Sequence, residues 1–441
     1  LSAAQQLNLS AGSLNNSSKG QISSLGDMQL SLAGALNNSQ QGLIGSQAKL
    51  RIDAAHIDNH DQGELSSAGA LQLKGSSLNN QDGLVVSDAS LDLETSGLLD
   101  NSQQGVLAAG AAFSLKAGQL LNRNKGLIQG DAGMQATIQG DFDNSAGTLL
   151  TGSDLLLVSG SLDNSSGKLS SGGPLTLTSG ALNNAKGSLA SAGVSRVNSS
   201  SLNNDAGTLS SQGDLHLVSG AASSRNGGVI VTAGQLQLQA DSLDASNSGR
   251  VVANGAADVQ LDGQLGLSTG GQLLSGAALL LRAQTIDTSK QGLISAKGAA
   301  SVEAVSIDNR QGGEISSKLG LTLVTDTLDN RFQGRLIAEA GLQLVADRVF
   351  NSAMGVLSAA HALNLQTRVL DNSGGRVLSG ALLSLSAEQI DNAAQGRISA
   401  SGDLLLVTQQ LDNQQQGEVL SAGALELRAK NIDSHDQGLI A

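Results

Sequence analysis

The sequence predicts an all-β chain wound as a right-handed parallel β-helix, about 21 coils of 20–22 residues with three short strands in each. Three observations carry this reading. One short phrase returns at near-constant spacing, the residues between its copies alternate apolar and polar, and no stretch sustains the 3.6-residue period of a helix.

The phrase is Leu-Asp/Asn-Asn, two or three further residues, then Gly. It opens at Leu14, Leu36, Ile57, Leu78, Leu99, Leu120, Phe142, Leu162, Leu182 and Leu202. After weaker copies at Ala222, Leu243 and Leu265 it returns at Ile286, Ile307, Leu328, Val349, Leu370, Ile390, Leu411 and Ile432. A Gly follows each opening by five or six residues, as at Gly20, Gly105, Gly207, Gly334 and Gly438, and is expected to turn the chain. Between openings the period is two: in the unit from Leu162, Leu169, Ser171, Leu175, Leu177 and Ser179 share one face. Gly167 to Ser171 reads as one strand, Pro174 to Ser179 as a second, and the phrase as a very short third. Coils hydrogen-bonded in parallel rise about 4.8 Å each, so the array would be on the order of 100 Å long. The right-handed wind follows from the crossover rule for parallel strands. Each inward aliphatic contributes about 1.5–3 kcal/mol, against about 1–2 kcal/mol for ordering every residue's backbone. With four or five such residues per coil, only a stacked array can fold.

The third position of the phrase is Asn in sixteen of the 21 copies: Asn16, Asn38, Asn59, Asn80, Asn101, Asn122, Asn144, Asn164, Asn184, Asn204, Asn309, Asn330, Asn351, Asn372, Asn392 and Asn413. Stacked at one corner, these amides would form a structural ladder, each donating to the next; a ligand-binding row is the alternative. Four successive coils in the irregular stretch 222–288 carry Ser224, Ala245, Leu267 and Thr288 there instead, and Asn247-Ser248-Gly249-Arg250 resumes late. A bend or docking face is one reading of this stretch, drift in a tolerant array the other. The expected organisation is one continuous array over 1–441, cut mid-coil at both ends.

Composition narrows the function. Gly is 56 of 441 residues, with one Pro (Pro174), no Trp, Tyr or Cys, and four Phe (Phe113, Phe142, Phe332, Phe350), so the core must be aliphatic. A net charge of −13 without a basic stripe, and almost no rings for stacking, argue against nucleic acid. No apolar run reaches the roughly 20 residues of a membrane span. Zero cysteines exclude disulfides and thiolate chemistry, and suit export of an unfolded chain.

An enzyme on polysaccharide would need paired carboxylates, long loops and aromatic rings to grip sugars. The coils are nearly constant in length and the rings are missing. Asp287, Asp308 and Asp329 share one repeat position, as do Asp371, Asp391, Asp412 and Asp433. Adjacent acids could form an acid/base pair or hold a cation; a solvated charge row is the simpler reading. His60 and His435 sit at the same turn of distant coils and cannot meet, and His56, His216 and His361 are isolated. No catalytic residue, cofactor site or metal ligand is assigned.

The phrase and its continuation from Leu162 to Leu177, Leu-Asp-Asn-x-x-Gly-x-Leu-x-Ser-x-Gly-x-Leu-x-Leu, resemble the filamentous haemagglutinin repeat of two-partner-secreted exoproteins. That family includes haemagglutinin-type adhesins and the toxin-delivery proteins of contact-dependent growth inhibition. The resemblance implies export through an outer-membrane β-barrel partner, a location outside the cell or on its surface, and a role in virulence. It also implies a target-cell receptor bound by a region beyond this segment. The long, regular repeats favour the growth-inhibition stalk; an adhesin whose β-helix itself grips glycans is the alternative.

Overall fold

The computed structural model describes residues 1–441 and contains short strands and turns but no helix, so the all-β expectation holds. The chain divides into two compact units, Leu1–Gly220 and Ala221–Ala441. Ten copies of the phrase fall in the first and eleven in the second. Each unit is a solenoid of three-faced turns whose strands pair in parallel with the turns before and after.

One turn of the first unit serves for the rest. Its first face is Glu64–Ser67, its second Leu71–Gly75 and its third Ser77–Asn79. Alternation sends Leu65, Leu71, Leu73 and Leu78 inward, each 1% exposed or less. They stack in register: Leu65 lies between Ile44 and Val85, Leu73 between Ile52 and Leu93, Leu78 between Ile57 and Leu99. At the corner after the first face the Ser67 hydroxyl lies 2.7 Å from Gly69 O and 2.8 Å from Ala48 O, so one small side chain serves the carbonyls of two turns. The second unit repeats the plan, with Ile315 between Ile294 and Leu336 on its first face.

Two details depart from the sequence reading. The strand expected to end at Ser179 runs instead through Leu175–Asn183, carrying the second face around the corner into the third. The backbones come close at Gly180, where an added Cβ would sit 2.2 Å from Gly160 O, but the next turn makes the same continuous strand, Ser195–Asn203, with Ser200 at that corner, so the glycine is a local fit and not the condition for the strand. Two turns earlier the corner holds an extra residue, taken up as a register shift between Ile138 and Asp141.

The second departure concerns the turn after the phrase. The closing glycines rarely turn the chain. Left-handed backbone falls on the residues before them: one where the Gly follows the opening by five residues (Asp82, φ 53°; Ser166, φ 55°), two where it follows by six (Gln40, φ 55° and Gln41, φ 66°). The spacing of five or six therefore counts left-handed residues. These conformations cost about 1–2 kcal/mol each for a residue with a Cβ. Bonds between turns, such as Gln41 N–H to Asp61 O at 3.0 Å, hold them in place.

Leu73→Ala should lower the stability of the first unit by about 2–5 kcal/mol through the cavity it leaves. Lys74→Ala, one residue on and facing solvent, should change it by less than about 0.5 kcal/mol. Urea unfolding followed by circular dichroism would compare the two.

Candidate functional site

Each position of the Leu-Asx-Asn phrase has a separate task. The first residue fills the core from the third face. The second, where it is Asp or Asn, caps the turn: its Oδ1 accepts the N–H two residues on, as in Ser102 to Asp100 at 3.0 Å, Ser165 to Asp163 at 2.9 Å and Arg310 to Asp308 at 3.1 Å. This is an Asx turn. The reading of the sequence did not assign it, although the Asp/Asn alternation at that position was its signal. Both residues have an Oδ1 to accept with, so either serves.

The third residue is Asn, buried to 0% exposure in every copy except Asn16, at 7%. In the first unit the amides of Asn16, Asn38, Asn59, Asn80, Asn101, Asn122, Asn144, Asn164, Asn184 and Asn204 form one file. From Asn16 to Asn184, each Nδ2 donates to the Oδ1 of the next asparagine at 2.7–2.8 Å. In the second unit Asn309, Asn330, Asn351, Asn372 and Asn392 do the same along the file to Asn413 at 2.6–2.7 Å, and Asn413 donates to Ser434 Oγ at 3.3 Å. The amide's other hydrogen goes to backbone: Asn38 Nδ2 lies 3.0 Å from Gly42 O in its own turn and 2.9 Å from Glu64 O in the next. A buried amide without such partners would cost about 1–3 kcal/mol.

The file explains the glycine that follows it. A Cβ on Gly63 would meet Asn38 O at 2.4 Å and Asn59 Oδ1 at 2.7 Å. Glycine is required there by close approach to the asparagine, with no need for positive φ.

Across the irregular stretch the file is replaced by side chains that are equally buried: Ser224, Ala245, Leu267 and Thr288 are each 0% exposed. Ala245 and Leu267 put aliphatic packing where an amide would need partners. Thr288 restarts the file, its Oγ1 donating to Asn309 Oδ1 at 2.6 Å. Asn247 lies outside the file, in the left-handed turn at φ 54°.

The acids form a surface row beside the file. Asp287, Asp308 and Asp329 pair in register, as do Asp371, Asp391, Asp412 and Asp433, with Phe350 between the two groups. Arginines neutralise part of it. Arg310 holds Asp308 in a fork (2.7 and 2.9 Å), and its Nε reaches Asp329 at 3.5 Å. Arg331 forks onto Asp329 and lies 5.4 Å from the Phe350 ring. Burial would raise the Asp308 carboxyl, but hydrogen bonds from Arg310 outweigh it and hold it below the ordinary value. Asp391 has no such partner. Burial raises it, Asp371 and Asp412 add repulsion, and the Ala393 N–H offsets only part.

His60 pairs with Asp58 and His435 with Asp433, each within its own turn. No three His, Asp or Glu side chains group as metal ligands, and no helix is long and apolar enough to cross a membrane. The arrangement is built to satisfy polar groups between turns.

Asn122→Ala strands the Asn101 donor and the Asn144 acceptor, and should cost about 2–5 kcal/mol. Gly63→Ala should also destabilise, whereas Gly12→Ala, with nothing near its Cβ, should not. Thermal melts would rank these variants. For Asp391 the folded value lies above 3.8, so its ionisation opposes folding and the associated stability is lost as pH rises. Asp391→Asn should therefore raise the melting temperature at pH 7, with the gain shrinking as pH falls toward 3.8 and below. Asp308 is lowered, so Asp308→Asn should be destabilising at pH 7 and lose its effect in acid.

The haemagglutinin repeat model matches residues 1–40, 29–95, 86–146, 137–219, 218–256, 231–357 and 337–441. No curated protein and no solved structure matches the chain. With the family's repeat over the whole length, and its phrase accounting for the core, the turn and the amide file of each coil, the chain belongs to the haemagglutinin repeat family, in the manner of a filamentous haemagglutinin repeat region.

Proposed function

We propose that this chain is the stalk of a secreted bacterial exoprotein at the outer-membrane surface, and that it projects a distal receptor-binding or toxin-delivery module toward target cells, as in contact-dependent growth inhibition. In this reading residues 1–441 form one continuous array, the amide file is structural throughout, and the aliphatic stretch 222–288 belongs to the same array. Haemagglutinin repeat proteins are typically secreted or held at the cell surface, and the family supports an adhesin-type stalk. Export would use an outer-membrane β-barrel partner, a route to which a chain without cysteine is suited. The observation that carries the proposal is where the repeated polar side chains point. Asn38 bonds to Asn59 and Glu64 O, and Ser67 to Ala48 O, so they join neighbouring turns instead of converging on a cleft. The role is mechanical and non-enzymatic.

One observation favours a second reading, an adhesin that grips glycans along its own surface. Ser18, Lys19, Gln40, Gln41, Asp61, Gln62 and Asp82 line a polar trough on the outer edge of the left-handed turns, where Gln41 Nε2 donates to Gln62 Oε1 at 3.0 Å.

Two measurements test the proposal. Small-angle scattering of the chain should return a largest dimension on the order of 100 Å, as about 4.8 Å per turn requires; a much shorter particle would end the continuous-array reading. A dye on Ser153→Cys, at an exposed turn, should report no saturable binding to bacterial or host cells. Saturable binding competed by a glycan would replace the stalk with the adhesin, and loss of that binding on Gln41→Ala would place it at the trough.

A further inference from the structure

The first face of the first unit differs from every other surface of that unit. Ten strands from Gln21–Ser24 to Thr208–Ser211 lie in register, each presenting its first and third residues outward. The middle of that surface is mostly apolar: Leu84, Val86, Val106, Ala108, Leu127 and Leu150 all point out and are half-buried, with Gln129 and Thr148 the polar residues among them. Only two outward residues on the face are charged, Glu64 and Lys168. By contrast, the second face of the same unit carries Arg51, Asp53, Lys74, Asp92, Glu94 and Lys116. The equivalent face of the second unit holds paired charges, Arg335 with Glu314 at 3.4 Å and Arg397 with Glu418 at 3.3 Å. A flat parallel sheet with an apolar outer surface is normally covered.

The positions of the two charges identify the cover. Glu64 lies two strands before Val106, and Lys168 two strands after Leu127, while Val106 and Leu127 are themselves neighbours. Both charges occupy the first outward position of their strands. A two-fold axis in the plane of the interface, parallel to the strands and passing between the Val106 and Leu127 strands, reverses the order of turns and keeps each residue in its row. It sets Glu64 of each copy opposite Lys168 of the other, Leu84 opposite Thr148, and Val106 opposite Leu127. No other placement of that axis pairs the charges.

We propose that this face is the interface of a homodimer in which two copies of the first unit pack sheet on sheet with their solenoid axes antiparallel. Its apolar centre is closed at both ends by Glu64–Lys168 pairs. Four residues at about 3.3 Å by ten strands at about 4.8 Å cover roughly 600 Å² per copy. About 1,200 Å² in total reaches the lower end of the range for a specific interface. The face is self-complementary, as an isologous contact requires. The inference goes beyond the stalk reading and does not depend on it.

The test is sedimentation of the full chain across concentration. The unaltered chain should dimerise below about 100 µM. Glu64→Lys alone, or Lys168→Glu alone, sets like charges at both ends and should weaken the dimer by tenfold or more. The double variant Glu64→Lys with Lys168→Glu should restore it to within about threefold, because the pairs re-form with their signs exchanged. Both substitutions are made at outward positions of a sheet that is otherwise unchanged, and circular dichroism would verify the fold. A chain that stays monomeric, a dimer indifferent to the single reversals, or a double variant no better than the singles would each overturn the proposal.

Discussion

A buried amide needs a partner for each of its hydrogens and for its oxygen, and in this chain most of those partners sit a full turn away. Asn38 donates to Asn59, 21 residues on, and accepts from Asn16, 22 residues back. The same holds for the backbone, since a strand such as Glu64–Ser67 finds its ladder in the turns on either side. A single turn therefore satisfies neither its amide nor its peptide groups. In-register stacking is the condition on which the rest of the structure depends, and coils of 20 to 22 residues must meet it. They do so by placing the variation where register is insensitive to it: in the number of left-handed residues before the glycine, and in the bulge at Ile138–Asp141.

That condition also shapes the surface. With Leu, Asx, Asn and Gly of the phrase committed to the core, the turn, the file and the close approach, outward positions are free to differ from turn to turn. The acid row shows the consequence. Adjacent turns bring Asp308 beside Asp329, and Arg310 and Arg331 relieve them, while Asp391 between Asp371 and Asp412 stays strained toward its neutral form. On the first face of the first unit the same freedom collects aliphatic residues with two charges at matched distances. A solenoid with uniform construction can in this way carry locally distinct surfaces, which is what a stalk needs if it is also to meet partners along its length.

Much of the fold was legible in the sequence because its signals are periodic. The alternation from Leu169 to Ser179 marks strands whether or not a partner is visible, and a phrase returning every 20 to 22 residues can stack only on itself. Asn at the third position gave the file its place for the same reason. The gaps in the reading have a common source. The Asx turn was hidden because Asp and Asn are equally suited to a surface. The glycines looked like turn residues because nothing local distinguishes a glycine needed for positive φ from one pressed against Asn38 O of another turn. The corner at Gly180 could not be told from a loop, since the backbone it packs against, at Gly160, belongs to the turn before.

The sequence by itself determined the fold class, the three-stranded turn, the inward aliphatics and the line of asparagines, because each is a pattern written along one strand or repeated at one period. The tertiary structure alone decided which groups become neighbours across turns. It set Arg310 between Asp308 and Asp329, Arg331 over the Phe350 ring, Thr288 as the start of a new amide file, and Glu64 and Lys168 as the two charges on one apolar face. These relations depend on register between segments 20 or more residues apart. A shift of one residue would send the same side chains to opposite faces, so they are properties of the stacked array and of no single coil.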